Sequence, residues 1–269
     1  MCATCGCGEA AGHGEHEHEH EHVMADGSVV RHRHGHDGDG HGHGLGLGHA
    51  AEARRVRVER DLLAKNDEVA RANRAGFEKS GALVVNVMSS PGSGKTTLLC
   101  ALLGRMKGRV GVIEGDQQTT LDADRIRATG APAVQINTGK GCHLDAAMVR
   151  DALPRLGAVE TVFVENVGNL VCPAGFDLGE AARAVVVSVT EGEDKPLKYP
   201  DMFASADIVI VNKCDLLPHL AFDLAALRRN IERMRPGVAI VETSATTGAG
   251  LDALVDWMEA RRRAARAHG

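Results

Sequence analysis

The chain has 269 residues, 43% of them hydrophobic, and a formal net charge of -5, which supports one sizeable α/β core with appendages and excludes nucleic acid as the main partner. No run of about 18 apolar residues is present, so no membrane-spanning helix is expected. The start Met-Cys-Ala-Thr-Cys-Gly-Cys is neither basic nor apolar, and the expectation is a cytoplasmic chain.

Seven cysteines is an odd number, and with Cys2, Cys5 and Cys7 bunched at the start it argues for metal chemistry over a disulfide framework. Cys-x-x-Cys-x-Cys places three soft ligands in one tight turn, with the α-amino group as a further donor. Residues 1–50 then carry His13, His16, His18, His20, His22, His32, His34, His36, His41, His43 and His49 between Glu, Gly and Asp. Such a segment has almost nothing to bury, so a disordered tail is expected, yet its imidazoles suit nickel, copper and zinc. From Glu52 to Lys79 the pattern turns helical, with Val56, Leu63, Ala70 and Phe77 seven apart and Leu62, Val69 and Asn73 beside them. This predicts one amphipathic helix over 51–80, stopping near Ser80-Gly81 and packing on a domain over 81–269.

That domain alternates β and α patterns. Strands are expected near 83–88, 109–114, 133–137, 160–164, 184–189, 207–211 and 238–242, giving a mostly parallel sheet with helices on both faces. The first strand runs into Ser89-Ser90-Pro91-Gly92-Ser93-Gly94-Lys95-Thr96-Thr97. This is a strand, a phosphate-binding loop and a helix, although the common pattern has Gly where Ser89 stands. Gly92, Ser93 and Gly94 can turn backbone N–H groups onto phosphates. Lys95 would reach the β- and γ-phosphates, and Thr96, with Thr97 beside it, would hold magnesium.

Ligands in such sheets bind at the carboxyl ends of the strands. Glu114, Gly115 and Asp116 follow the second strand, where a carboxylate can hold magnesium or position water. Glu165, Asn166, Val167 and Gly168 follow the fourth, an arrangement that lets a backbone N–H report a γ-phosphate. Asp116 and Glu165 are the catalytic candidates with Lys95. Asn212-Lys213-Cys214-Asp215 follows the sixth strand. A carboxylate at Asp215 accepts from both N–H donors of guanine and would be left unpaired by adenine. Lys213 can pack along the base, and Ser244-Ala245 can place a backbone N–H on the guanine oxygen. A second metal constellation is Cys142-His143, expected to open a helix from His143 to Leu153, with Cys172 four residues past Gly168. Cys100 and Cys214 read as small core residues.

Taken together, these segments resemble the nickel-incorporation GTPases of hydrogenase maturation, the hydrogenase accessory protein B family of SIMIBI-class P-loop GTPases. The match runs through Cys2-x-x-Cys5-x-Cys7, the His tract, Leu63-Ala64-Lys65-Asn66-Asp67, the phosphate loop, Gly141-Cys142-His143-Leu144-Asp145, Glu165 through Pro173, and Asn212-Lys213-Cys214-Asp215. The resemblance implies a GTPase that cycles between GTP and GDP with magnesium. It implies dimerisation with GTP bound and help in delivering nickel to the large subunit of a nickel-iron hydrogenase, with other maturation proteins as partners. The family's ligands map onto Cys2, Cys5 and Cys7 and onto Cys142, His143 and Cys172, for nickel or zinc, and Glu193 through Tyr199 looks like a dimer contact of related GTPases. The alternatives are a urease-type nickel-insertion GTPase and a nickel storage protein with a vestigial nucleotide site.

Overall fold

The computed structural model describes residues 20–23, 29–32, 45–117, 120–139 and 141–268. Cys2, Cys5, Cys7 and much of the His tract lie outside them. Within the stretch expected to lack order, β1 (His20–Val23) pairs antiparallel with β2 (Val29–His32), His20 opposite His32. Helix α1 begins at Leu45, earlier than expected, and ends at Ser80, where Gly81 takes a left-handed φ of 64° that suits the residue after a helix.

The remaining strands are β3 (Leu83–Ser89), β4 (Val110–Asp116), β5 (Ala133–Asn137), β6 (Thr161–Glu165), β7 (Ala182–Ser188), β8 (Ile208–Asn212) and β9 (Ala239–Glu242). They form one parallel sheet in the order β5-β4-β6-β3-β7-β8-β9. The helices are α2 (Lys95–Leu103), α3 (Leu121–Arg127), α4 (Ala146–Ala152), α5 (Lys195–Lys198), α6 (Pro200–Ala204), α7 (Leu224–Met234) and α8 (Leu251–His268).

Strand alternation divides the core. Leu83, Val85 and Val87 point to one face and join Leu98, Leu102, Ile126, Leu254 and Met258 from α2, α3 and α8. Val84, Ile113, Val162 and Val164 point to the other, against Phe77 of α1 and Val149 of α4. On that face's far half, Val185, Val187, Val209 and Val211 meet Phe203, Leu227 and Ile231. Buried on both faces, these strands read as near-continuous apolar runs. On α1, Leu62 is 59% exposed and lies off the buried stripe. Among the described residues no helix is long and apolar enough to cross a membrane. The order reverses about β3, whose neighbours β6 and β7 come later in the chain. A doubly wound sheet opens its ligand crevice at such a point.

Candidate functional site: a phosphate cradle beside a thiolate cluster

At the carboxyl end of β3 the chain turns through Gly92 (φ 76°) and Gly94 (φ 91°) before α2 starts at Lys95. A Cβ on Gly94 would lie 2.8 Å from the Asn212 side-chain nitrogen, so the turn needs glycine there in both conformation and space. Asn212 donates to the Ser93 carbonyl at 3.0 Å, and Lys213 Nζ donates to the Gly92 carbonyl at 2.7 Å. The polar motif after β8 is thereby fastened to the loop after β3. Lys213 is the non-glycine residue with a positive φ among the described residues, at 62°, a conformation that accumulates at functional sites.

Ser89 has a use that glycine could not supply. Lys95 Nζ donates to its hydroxyl at 2.7 Å, Ser93 Oγ donates to it at 2.6 Å, and Ser89 Oγ donates on to the Ser90 carbonyl at 2.6 Å. Ser90 Oγ in turn donates to the Glu191 carboxylate. Burial lowers the pKa of Lys95, against the pull of Glu165, Asp122, Glu191 and Glu114.

Thr96 Oγ1 donates to Glu165 Oε1 at 2.7 Å. The second oxygen of Glu165 and one oxygen of Glu114 are buried without a partner, and these two residues are register neighbours on β6 and β4. Burial, then the charge of Glu165, pushes Glu114 up to about 8. Burial pushes Glu165 up to about 7, with the Thr96 hydrogen bond and Lys95 pulling back. Orphaned carboxylate oxygens beside a threonine hydroxyl suit a hard divalent cation such as magnesium. Asp116 ends β4 and accepts from the Gln117 N–H at 2.7 Å. All three acids line one cavity of about 600 Å³ with Lys95, Thr96, Thr97, Gly168 and Lys213.

Both carboxyls keep a proton in the metal-free fold at pH values where an ordinary glutamate, at 4.5, has lost it. Through these two groups the folded state binds more protons than the unfolded one between about pH 4.5 and 8, so their contribution to stability falls as pH rises through that window. The melting temperature of the metal- and nucleotide-free chain is expected to drop between about pH 6 and pH 9, and to flatten when magnesium and GDP are supplied. A melting temperature rising across that interval would contradict the burial argument.

Glu114, Asp122 and Arg125 also line the cavity, and Arg125 donates to Thr97 Oγ1 at 2.8 Å. Nothing in the sequence marks Asp122 or Arg125, whereas Glu114 stands among the acids expected to follow the second strand. Asp215, Ser244 and Ala245 are not among the lining residues. Asp215 sits half-buried in the 3-10 helix Cys214–His219. The Ser244 N–H donates to the Ala249 carbonyl at 3.0 Å, which narrows the expected base-facing amide to Ala245.

Helix α4 starts at Ala146, not at His143 as the sequence pattern predicts, because Asp145 caps it by accepting from the Met148 N–H at 2.8 Å. Cys142 and His143 therefore lie in the preceding loop. Cys172 opens a short 3-10 turn, Cys172–Gly175, beyond the end of β6. The thiol sulfurs of Cys142 and Cys172 and a ring nitrogen of His143 all lie within 4.8 Å of one another. The His143 ring rests on Phe176, with centroids 3.8 Å apart. Burial lowers its pKa against the upward pull of Asp145, favouring the neutral, ligating imidazole. Two thiolates and an imidazole fit nickel or zinc and leave a position open.

The two sites share a loop. Asn166 Oδ1 accepts from the N–H groups of both Leu144 and Val167 at 3.0 Å, so the residue after Glu165 holds the segment carrying His143. On its other side this loop touches the phosphate cradle: a Cβ on Gly168 would lie 3.0 Å from Pro91 Cα. Gly168→Ala should weaken GDP and GTP binding several-fold in a nucleotide titration, by driving the two loops apart. Unchanged affinity would show that the contact yields freely.

A family profile described as CobW/HypB/UreG, nucleotide-binding domain, matches residues 83–242. The chain is 57% identical over 217 residues to the hydrogenase maturation factor HypB of Azotobacter vinelandii, covering 79% of this chain and 71% of that protein. Among solved structures, HypB from Helicobacter pylori in complex with nickel is similar at 40% identity and a TM-score of 0.71, over 74% of this chain and 95% of that one. HypB from Archaeoglobus fulgidus is similar at 37% identity and a TM-score of 0.70, over 74% of this chain and 99% of that one.

Proposed function

Because the chain belongs to the CobW/HypB/UreG family, and within it to the HypB hydrogenase maturation factors, we propose that it hydrolyses GTP with magnesium and delivers nickel to the large subunit of a nickel-iron hydrogenase. The observation that carries this reading is the shared loop. Glu165 bonds to Thr96 at its start, Cys172 stands beyond its end, and Asn166 fastens the Cys142-His143 segment between them. The presence of a γ-phosphate at Gly168 would therefore be felt at the metal ligands.

In this reading Lys95 and the amides of Gly92, Ser93 and Gly94 hold phosphates, and Thr96, with Glu165, Glu114 or Asp116, holds magnesium. Asn212 stiffens the cradle, and Asp215 with Ala245 reads the base. The chain pairs with a second copy when GTP is bound, acts in the cytoplasm alongside other maturation proteins, and holds nickel or zinc at Cys142, His143 and Cys172. Cys2, Cys5 and Cys7 provide a separate thiolate site.

A storage role needs no hydrolysis, so GTP turnover by the full chain with magnesium tests this reading against it. Base recognition is tested by Asp215→Asn. Replacing one of the two acceptor oxygens by an NH2 that faces a guanine donor should weaken GTP binding about a hundredfold, as one hydrogen bond is lost to opposed donors and the other loses its charge assistance. Loss of both hydrogenase and urease activity on deleting the gene, rather than hydrogenase alone, would favour the wider nickel-insertion role.

A further inference from the structure

The domain's candidate metal ligands come from two loops, and neither loop is held by its own sequence neighbours alone. We infer that helix α1 sets the geometry of this metal site through Asn66 and Asn73, two buried amides on one face, two turns apart. The inference rests on the nickel-binding reading of Cys142, His143 and Cys172.

Asn66 is 8% and Asn73 6% exposed, and each spans both loops. Asn66 Oδ1 accepts from the Ala146 N–H at 2.9 Å, while its Nδ2 donates to the Asp177 carbonyl at 2.7 Å. Asn73 Nδ2 donates to the Ala146 carbonyl at 2.9 Å and to the Leu178 carbonyl at 3.0 Å. Both backbone groups of Ala146, three residues after His143, are thus fixed from α1. So are the carbonyls of Asp177 and Leu178, which follow Cys172 after one short turn. Arg74 pairs with Asp177 at 2.7 Å. Gly179 presses against the helix so closely that a Cβ there would lie 2.5 Å from the Ala70 carbonyl oxygen.

Packing alone would not place amides here. Leu63, Ala70 and Phe77 already give α1 an apolar stripe, and leucine at 66 or 73 would extend it. A buried amide is costly unless paired, but once paired it fixes position where an apolar contact can slide. What these two fix is the spacing between the segment bearing Cys142 and His143 and the segment bearing Cys172. Asn66 and Asn73 are positioning residues: neither reaches the ligand atoms, and both set how closely those atoms converge. Partners hydrogen-bonded to metal ligands themselves typically contribute about 10–100-fold in metal affinity, and these amides, one step further out, act at the lower end of that range.

The test uses the full-length chain with Cys2, Cys5 and Cys7 changed to serine, so that thiolate-to-nickel absorption excludes the N-terminal thiols. In Asn73→Ala the nickel affinity read from that absorption should fall about tenfold or more, while GDP affinity stays within about twofold. Asn66→Ala should show the same split, and keeps the test open if the first variant folds poorly. Parental nickel affinity in either folded variant overturns the inference, and so does a parallel fall in GDP affinity, which would signify general loosening. A serine-substituted parent with no thiolate-to-nickel absorption removes the metal site itself, and the proposed delivery function with it.

Discussion

Lys95→Ala should abolish GTP turnover, with kcat falling at least about a hundredfold to a thousandfold, the range found when one preorganised electrostatic donor to the transition state is lost. The ammonium is buried at the floor of the cradle, held by Ser89, with Glu165, Asp122, Glu191 and Glu114 as the charges around it. Desolvation makes that cation unfavourable in the empty protein. A polyphosphate would reverse this, since in a low-dielectric pocket the attraction between ammonium and phosphate is far stronger than in water. Alanine keeps the loop's glycine geometry and α2, so the protein should fold and bind GDP weakly rather than not at all. The variant also removes the ammonium charge that holds down the pKa values of the Glu114 and Glu165 carboxyls, so both should rise further. Turnover unchanged from the parent would remove the enzymatic reading altogether.

Much of this site could be read from residue order, because its parts are local. Gly92-Ser93-Gly94-Lys95-Thr96 is a contiguous solution to a local problem, a tight turn feeding amides to an anion. Asn212-Lys213-Cys214-Asp215 is similarly compact. The β-branched runs of β3, β6, β7 and β8 declared themselves because strands covered on both faces need apolar residues throughout, and the boundaries in the structure differ from the sequence expectation by at most two residues at each end. What the sequence could not show depends on partners distant along the chain. Asn73 stands beside the apolar stripe and Asn66 looks like an ordinary polar position of the helix, and the use of either shows only when Ala146, Asp177 and Leu178 arrive beside them. Ser89 looks like a departure from the common pattern until Lys95 and Ser93 fold back onto it. The start of α4 differs from the expectation because Asp145 sits inside the helical pattern yet serves as the cap. Asp116 is the expected ligand while Glu114 holds the orphaned oxygen, because burial, which residue identity does not reveal, decides which carboxylate is left without a partner.

Cys172→Ser, in the full chain lacking the N-terminal thiols, should cut nickel affinity at the domain site by more than the about 10–100-fold assigned to outer partners, because a thiolate is lost and not merely misplaced. The informative comparison is between nucleotides. With Cys172 present, titrations in GDP and in a non-hydrolysable GTP analogue should give nickel affinities differing on the order of tenfold, a typical coupling between sites. The physical path is short: a γ-phosphate drawing in the Gly168 amide moves the loop that starts at Glu165, and Asn166 transmits this to the Leu144 N–H and so to His143. By linkage, nickel must change the affinity for the GTP analogue by the same factor, so both titrations can be run as a check on one number. Following molecular mass in the same samples separates two origins of the effect. If the difference appears only where mass doubles, the coupling runs through pairing of two copies; if it appears without a change of mass, the loop within one chain suffices. Equal nickel affinities in both nucleotides would mean that the domain site does not sense the γ-phosphate, and delivery would then rest on Cys2, Cys5 and Cys7 or on docking to a partner.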